Sequence, residues 1–284
     1  MEELYKIAGL KRQVYFAHAK RQEERTFIET RTIEMVKQVR LRHPSMGARP
    51  LYDLLRIDTM GINRFERLIS QSGLGITRKK SWIKTTDSNH PYRKYNNLTN
   101  GLVLGDINRL WASDITYWIE SDRVNYLMFM MDVYSRKVIG YLASDNMYAA
   151  SALKALRMAF QVRNQKYFKG LIHHSDKGSQ YCANDYTRAL KNAKIAISMA
   201  NNSLENPYAE RLNGIIKNDY LLHCNTSSLA KLKKSLSEVV WLYNNERPHS
   251  ELNNMTPVEY ERMIVKQKES ERIKMELYDF CKIK

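Results

Sequence analysis

The sequence predicts an α/β protein in which a mixed-sheet core follows a small all-helical region. Three observations carry this. Residues 3–74 hold apolar residues at helical spacing. From Leu110 the pattern changes to aromatic and β-branched runs that read as strands. Beyond Ala149, helical and strand-like stretches alternate, as in a layered α/β fold.

Residues 3–20 carry Leu4, Ile7, Ala8, Val14 and Phe16 around Gly9 and predict two short helices hinged at the glycine. Residues 23–42 predict a longer helix with Phe27, Ile28, Ile33, Val36 and Val39 on its apolar side, ended by His43-Pro44. Leu51, Leu54 and Leu55 then form a short apolar face, and Gly61 makes a turn. Asn63 is placed to cap the next helix, with Glu66 in capping-box spacing. Ile62, Phe65, Leu68 and Ile69 form that helix's buried face, and Gly73 ends it. A short helix, a turn and a second helix have helix-turn-helix spacing. Asn63, Arg64 and Arg67 are expected to face outward, toward base edges and phosphates. The alternative is an ordinary helical hairpin with a solvated basic face. Residues 75–100 read as a basic linker with Arg78, Lys79, Lys80, Lys84, Arg93 and Lys94. These side chains either track phosphates, with Trp82 or Tyr92 stacking on bases, or form a solvated charge run.

In the core, WASDITYWI, VNYLMFMMDVY and SRKVIGYLAS predict three strands, with Asp122 in the first turn. A helix is expected over Ala149–Val162, a strand over Gly170–His174, a helix over Asp185–Ala193 and a strand over Ile195–Met199. A helix over Asn206–Tyr220 carries Glu210. The resulting division is a helical region 1–74, a linker 75–100, a core 101–262 and a charged helical tail 263–284.

The 284 residues include 46 Lys+Arg against 30 Asp+Glu, a formal charge of +16. Residues 1–100 account for +10 of this. Such an excess points to a polyanionic partner and makes the helical region the more strongly attracted part. The cysteines, Cys182, Cys224 and Cys281, are odd in number and form no CxxC pair. That usage suggests a reducing compartment and argues against structural zinc. No signal peptide and no apolar run long enough for a membrane span is visible, so a cytoplasmic protein is expected.

Three carboxylates stand where a carboxylate is costly. Asp114 lies mid-strand, on one face with Ala112, Thr116 and Trp118. Asp176 directly follows a strand, where open α/β sheets place ligands. Glu210 lies in the first turns of its helix, with Lys217 seven residues on along the same face, placed to meet a phosphate backbone. Each has a bland reading: a strand-end Asp bonded to backbone, an Asx-turn, a surface Glu. Together they make an all-oxygen donor set that a pair of Mg²⁺ or Mn²⁺ ions would neutralise, as phosphodiester chemistry requires. Glu205, five residues before Glu210, is the main rival. Asp132 reads as structural, and Asp106 and Asp185 as surface or capping residues. His173 and His174 read as packing or hydrogen-bonding groups.

These strings resemble those of the DDE transposases of bacterial insertion sequences. More narrowly, they resemble the OrfB-type group, whose catalytic half belongs to the retroviral integrase superfamily with an RNase H-like core. Trp111, Asp114, Ile115, Thr116 and Tyr117 match the first acid's string. Asp132, Ser135, Arg136, Lys137 and Gly140 match the strand that follows. His174 through Tyr181 match the second acid's string, and Asn206, Glu210 and Lys217 the third. Tyr243, Asn244, Arg247, Pro248, His249, Thr256 and Pro257 match a late Y-N-x-x-R-P-H…T-P string. The resemblance covers residues 95–262, and residues 43–74 resemble the family's upstream helix-turn-helix. It implies an RNase H-like core and catalytic, metal-binding roles for Asp114, Asp176 and Glu210 with two Mg²⁺ ions. It also implies DNA strand cleavage at element ends, strand transfer to target DNA, recognition of terminal inverted repeats and self-association on DNA. Some relatives gain an upstream frame by frameshifting, which would supply an accessory partner. The spacing departs slightly: 33 residues separate Asp176 from Glu210, fewer than is common, and Arg211 replaces a small residue. The competing readings are an RNase H-like nuclease without strand transfer and a catalytically dormant DNA-binding regulator.

Overall fold

The computed structural model describes residues 9, 11–76, 90–120 and 122–279. The chain divides into two compact units, residues 1–77 and 78–284. Arg78, Lys79, Lys80, Trp82 and Lys84, expected to track DNA, lie outside the described residues, as do Leu4, Ile7, Ala8 and Cys281.

The first unit holds helices α1 (Arg12–Arg40), α2 (Ala48–Leu55) and α3 (Ile62–Gln71). α1 is one helix, where the sequence suggested a break near residue 20, because no Gly or Pro interrupts it. Val36, Met46, Leu51, Met60, Phe65, Leu68 and Ile69 form the buried centre, with Ile28, Ile33 and Val39 packed against it. Phe27, expected on the buried side, is exposed. α3 begins two residues earlier than a cap at Asn63 would allow: Gly61 is its N-cap, with no side-chain cap bond. Glu66 instead meets Arg49 at 3.0 Å.

The second unit is built on a five-stranded sheet: β2 (Leu110–Glu120), β3 (Arg123–Asp132), β4 (Val138–Ser144), β5 (Ile172–Ser175) and β6 (Ala196–Met199). The order is β4-β3-β2-β5-β6, with β2, β3 and β4 antiparallel and β5 and β6 parallel to β2. This is the expected mixed sheet. α4 (Ala149–Arg163), α5 (Ser179–Cys182) and α6 (Asn184–Asn192) cover one face over Trp111, Ile115, Met128 and Met130. Gly140 is needed there, because a Cβ on it would collide with the Ala155 carbonyl.

The opposite face is covered by α7 (Pro207–Ile215), its continuation Ile216–Tyr220, and α8 (Leu229–Asn245), over Trp118, Leu127, Phe129 and Val138. The single helix expected over Asn206–Tyr220 therefore changes character after Ile215, where it widens into a π turn. α9 (Pro257–Lys266) opens with a capping box in which the Thr256 hydroxyl accepts the Glu259 N–H.

Two expected boundaries differ. Described residues of the supposed linker lie along β6, where the Asn96 carbonyl accepts the Met199 N–H at 3.3 Å and the Leu98 N–H meets Ser198 Oγ at 2.8 Å. The tail is α-helical only to Lys266, followed by a single 3₁₀ turn at Glu269–Glu271. Beyond it, β7 (Met275–Glu276) pairs antiparallel with β1 (Val103–Leu104), and Leu277 is buried beside Leu104 and Leu110. That apolar plug, not a helical repeat, decides the tail's form.

Candidate active site

β2 and β5 run parallel with Ala112 opposite His174. Two residues further along each chain stand Asp114, in the middle of β2, and Asp176, just past the end of β5, so the two acids lie at the same level of the adjacent strands. α7 packs beside β2 and is tied to it at successive turns. The Asn206 amide donates to the Ser113 carbonyl at 3.0 Å, the Asn213 amide to Asp114 Oδ2 at 2.6 Å, and Lys217 Nζ to Thr116 Oγ1 at 3.1 Å. Pro207 at the first helical positions starts the helix, and Glu210 sits in its first turn at the exposed rim.

The three acids act on one another. Burial pushes the Asp114 carboxyl up to about 8, and the negative charges of Asp176 and Glu210 add to this against the Ile115 N–H and the Asn213 amide. Glu210 is raised by partial desolvation. Lys217 is lowered by burial, with Asp114 opposing the shift. Asp176 Oδ1 also accepts the Gly178 N–H at 3.0 Å, the Asx-turn anticipated as its bland reading. Among the described residues, no three carboxylate, imidazole or thiol groups are gathered tightly enough to hold a metal ion as they stand. Mutual repulsion of the anions opposes closer approach.

The rival acids are accounted for elsewhere. The Glu205 carboxylate takes the Asn97 amide at 2.6 Å and the Asn201 N–H at 2.9 Å. Burial alone would raise it, but these donors hold it below the usual range. Asp132 is fully buried and bound by the Asn108 N–H at 2.7 Å and Arg163 at 2.9 Å. Asp106 pairs with Arg272, and Asp185 with Arg188. Arg211 reaches Glu251 at 3.2 Å, which accounts for its departure from a small residue. His173 Nε2 lies between Ser113 Oγ and Tyr186 Oη, and His174 Nε2 donates to the Glu205 carbonyl. Burial lowers these imidazoles to about 3 and about 4, so both are neutral packing groups at pH 7. Sequence reasoning missed Asn213; its place one helical turn after Glu210 was the available signal.

In the first unit Asn63 and Arg67 are exposed, whereas Arg64 is half-buried and held by Glu29 at 2.8 Å. A cleft of about 370 Å³ between α1 and α3 is lined by Arg25, Glu29, Arg64 and Arg67. No described helix is long and apolar enough to cross a membrane.

A mixed five-stranded sheet with helices on both faces, Asp114 in the middle of β2 and Asp176 just past the end of β5, is an RNase H-like, integrase-type core. Residues 107–202 and 191–257 match the integrase core domain family, together more than half of the chain. The chain is 33% identical over 205 residues to the 31 kDa protein of insertion element IS600 from Shigella sonnei, covering 71% of this chain and 75% of that one. It is 30% identical over 227 residues to the transposase for insertion sequence element IS629 from Shigella sonnei, covering 78% and 75%. The solved HTLV-2 integrase catalytic core in complex with magnesium is similar at 20% identity and a TM-score of 0.44, covering 58% of this chain and 99% of that one. The chain belongs to the insertion-sequence transposases with an integrase core domain.

Proposed function

We propose that the chain is a DDE transposase that cuts DNA at element ends and joins the exposed 3′-hydroxyl to target DNA, with Asp114, Asp176 and Glu210 as its catalytic, metal-binding residues. What supports this reading is a part-buried aspartate in β2 whose carboxyl is raised by the charges of Asp176, just past the adjacent parallel strand β5, and of Glu210 on the neighbouring helix. Their donor set is all carboxylate and suits Mg²⁺ or Mn²⁺. When bound, such ions would neutralise these acids and polarise the attacking and leaving oxygens of a phosphodiester.

The chain's own residues have separate tasks. The Asn213 amide fixes the orientation of the Asp114 carboxylate. Lys217 sets a cation two residues along β2 from Asp114, where it can hold a phosphate. His173 and His174 bring no charge to the site. The basic helical unit would dock the terminal inverted repeats through Asn63 and Arg67, and work on paired ends calls for self-association.

The test uses labelled element-end DNA with Mg²⁺. Asp114→Asn should abolish cleavage while leaving DNA binding largely intact; unchanged cleavage would reject the assignment. A pre-cleaved end separates the competing activities: a transposase joins it to target DNA, a simple nuclease does not, and a dormant regulator binds without Mg²⁺-dependent turnover.

A further inference from the structure

The late string around Tyr243–His249 lies outside the acid cluster, yet Tyr243, Asn244, Arg247 and Pro248 in it are buried. The Asn244 amide spans the start of β4, with Oδ1 accepting the Val138 N–H at 2.9 Å and Nδ2 donating to the Val138 carbonyl at 2.8 Å. Arg247, 5% exposed, meets Asp219, 1% exposed, at 2.8 Å. Its guanidinium also hydrogen-bonds Tyr220 and lies 5.9 Å from that ring's centre. Asp219 and Tyr220 are the last two residues of the π turn that continues α7.

A π turn takes one residue more than an α turn, so it forms only where something holds it open. Here the Leu221 N–H reaches back to the Ile216 carbonyl. Ahead of this bond Asn213 reaches Asp114 in β2, and within the turn Lys217 reaches Thr116 two residues along the same strand. At the end of the same turn Asp219 and Tyr220 are buried, Tyr220 among apolar residues of α8. Lys217 lies inside the wide turn itself.

We propose that Arg247, through Asp219 and Tyr220, is a positioning residue that holds the π turn open and so aims Lys217 at the active-site face. This rests on the reading of Lys217 as a DNA-phosphate contact. The late string then serves the site from behind and needs no contact with DNA.

The test is a double-mutant cycle in the full chain with Lys217→Ala, Arg247→Lys and Tyr220→Phe. Tyr220→Phe removes one hydroxyl and leaves the ion pair in place, so it reports even where Arg247→Lys fails to fold. Affinity for element-end DNA is measured in EDTA across salt concentrations, and cleavage is measured in Mg²⁺ per folded molecule. The expected result is that each of the three variants lowers the salt slope by about one and weakens cleavage. Combining either Tyr220→Phe or Arg247→Lys with Lys217→Ala should add roughly nothing further. Additive losses, or folded Tyr220→Phe protein with an unchanged slope and rate, would overturn the proposal alone. Lys217→Ala protein that behaves as the parent would overturn it together with the DNA-contact reading of Lys217.

Discussion

Asp114 is held at an electrostatic cost that depends on pH. Its carboxyl is raised from 3.8 to about 8, so the folded state binds the proton more tightly than the unfolded chain. Below pH 4 both states are protonated and the group is neutral toward folding. As pH rises toward 8 it increasingly opposes folding. Asp114→Asn should therefore gain thermal stability relative to the parent at pH 8, and little at pH 4, in paired melting curves. Adding MgCl2 at pH 8 should raise the melting temperature of the parent more than that of the variant. The neighbouring glutamates should behave differently. Glu210→Gln is expected to lose cleavage, whereas Glu205→Gln should keep it and lose stability, because Glu205 anchors Asn97 and Asn201. Sequence alone could rank these two glutamates only through the resemblance. One amide that occupies Glu205 comes from nearby Asn201, but the other comes from Asn97, more than a hundred residues away, and no local spacing reveals that contact.

At the level of the element, close approach of α4 to β4 depends on Gly140. Gly140→Ala should cost about 1–3 kcal/mol in denaturant unfolding, the usual penalty of overpacking. The strands were legible because their apolar runs are nearly unbroken, as in Val124–Met131. The single long α1 was obscured by exposed Val14, Phe16 and Phe27, which imitate a buried stripe that the fold does not use. The π turn could not be foreseen, because its cause, Arg247, lies far along the chain from Tyr220. The helix cap failed for a local reason: Gly61 already satisfies the backbone geometry of an N-cap, so Asn63 falls within the helix.

Across the whole molecule, charge is concentrated in the first hundred residues, and binding to element ends should weaken steeply with salt. Within the first unit, Arg67→Ala should reduce the slope of log affinity against log salt by about one. Arg64→Ala should change it less, since Glu29 already neutralises that guanidinium. The core's own boundary also carries a practical consequence. Because β7 is stitched to β1 and Leu277 closes over Leu104 and Leu110, a fragment cut after Lys266 would leave an oily trough open along its flank. Such a fragment should precipitate on concentration, and a soluble catalytic piece would have to keep its final strand.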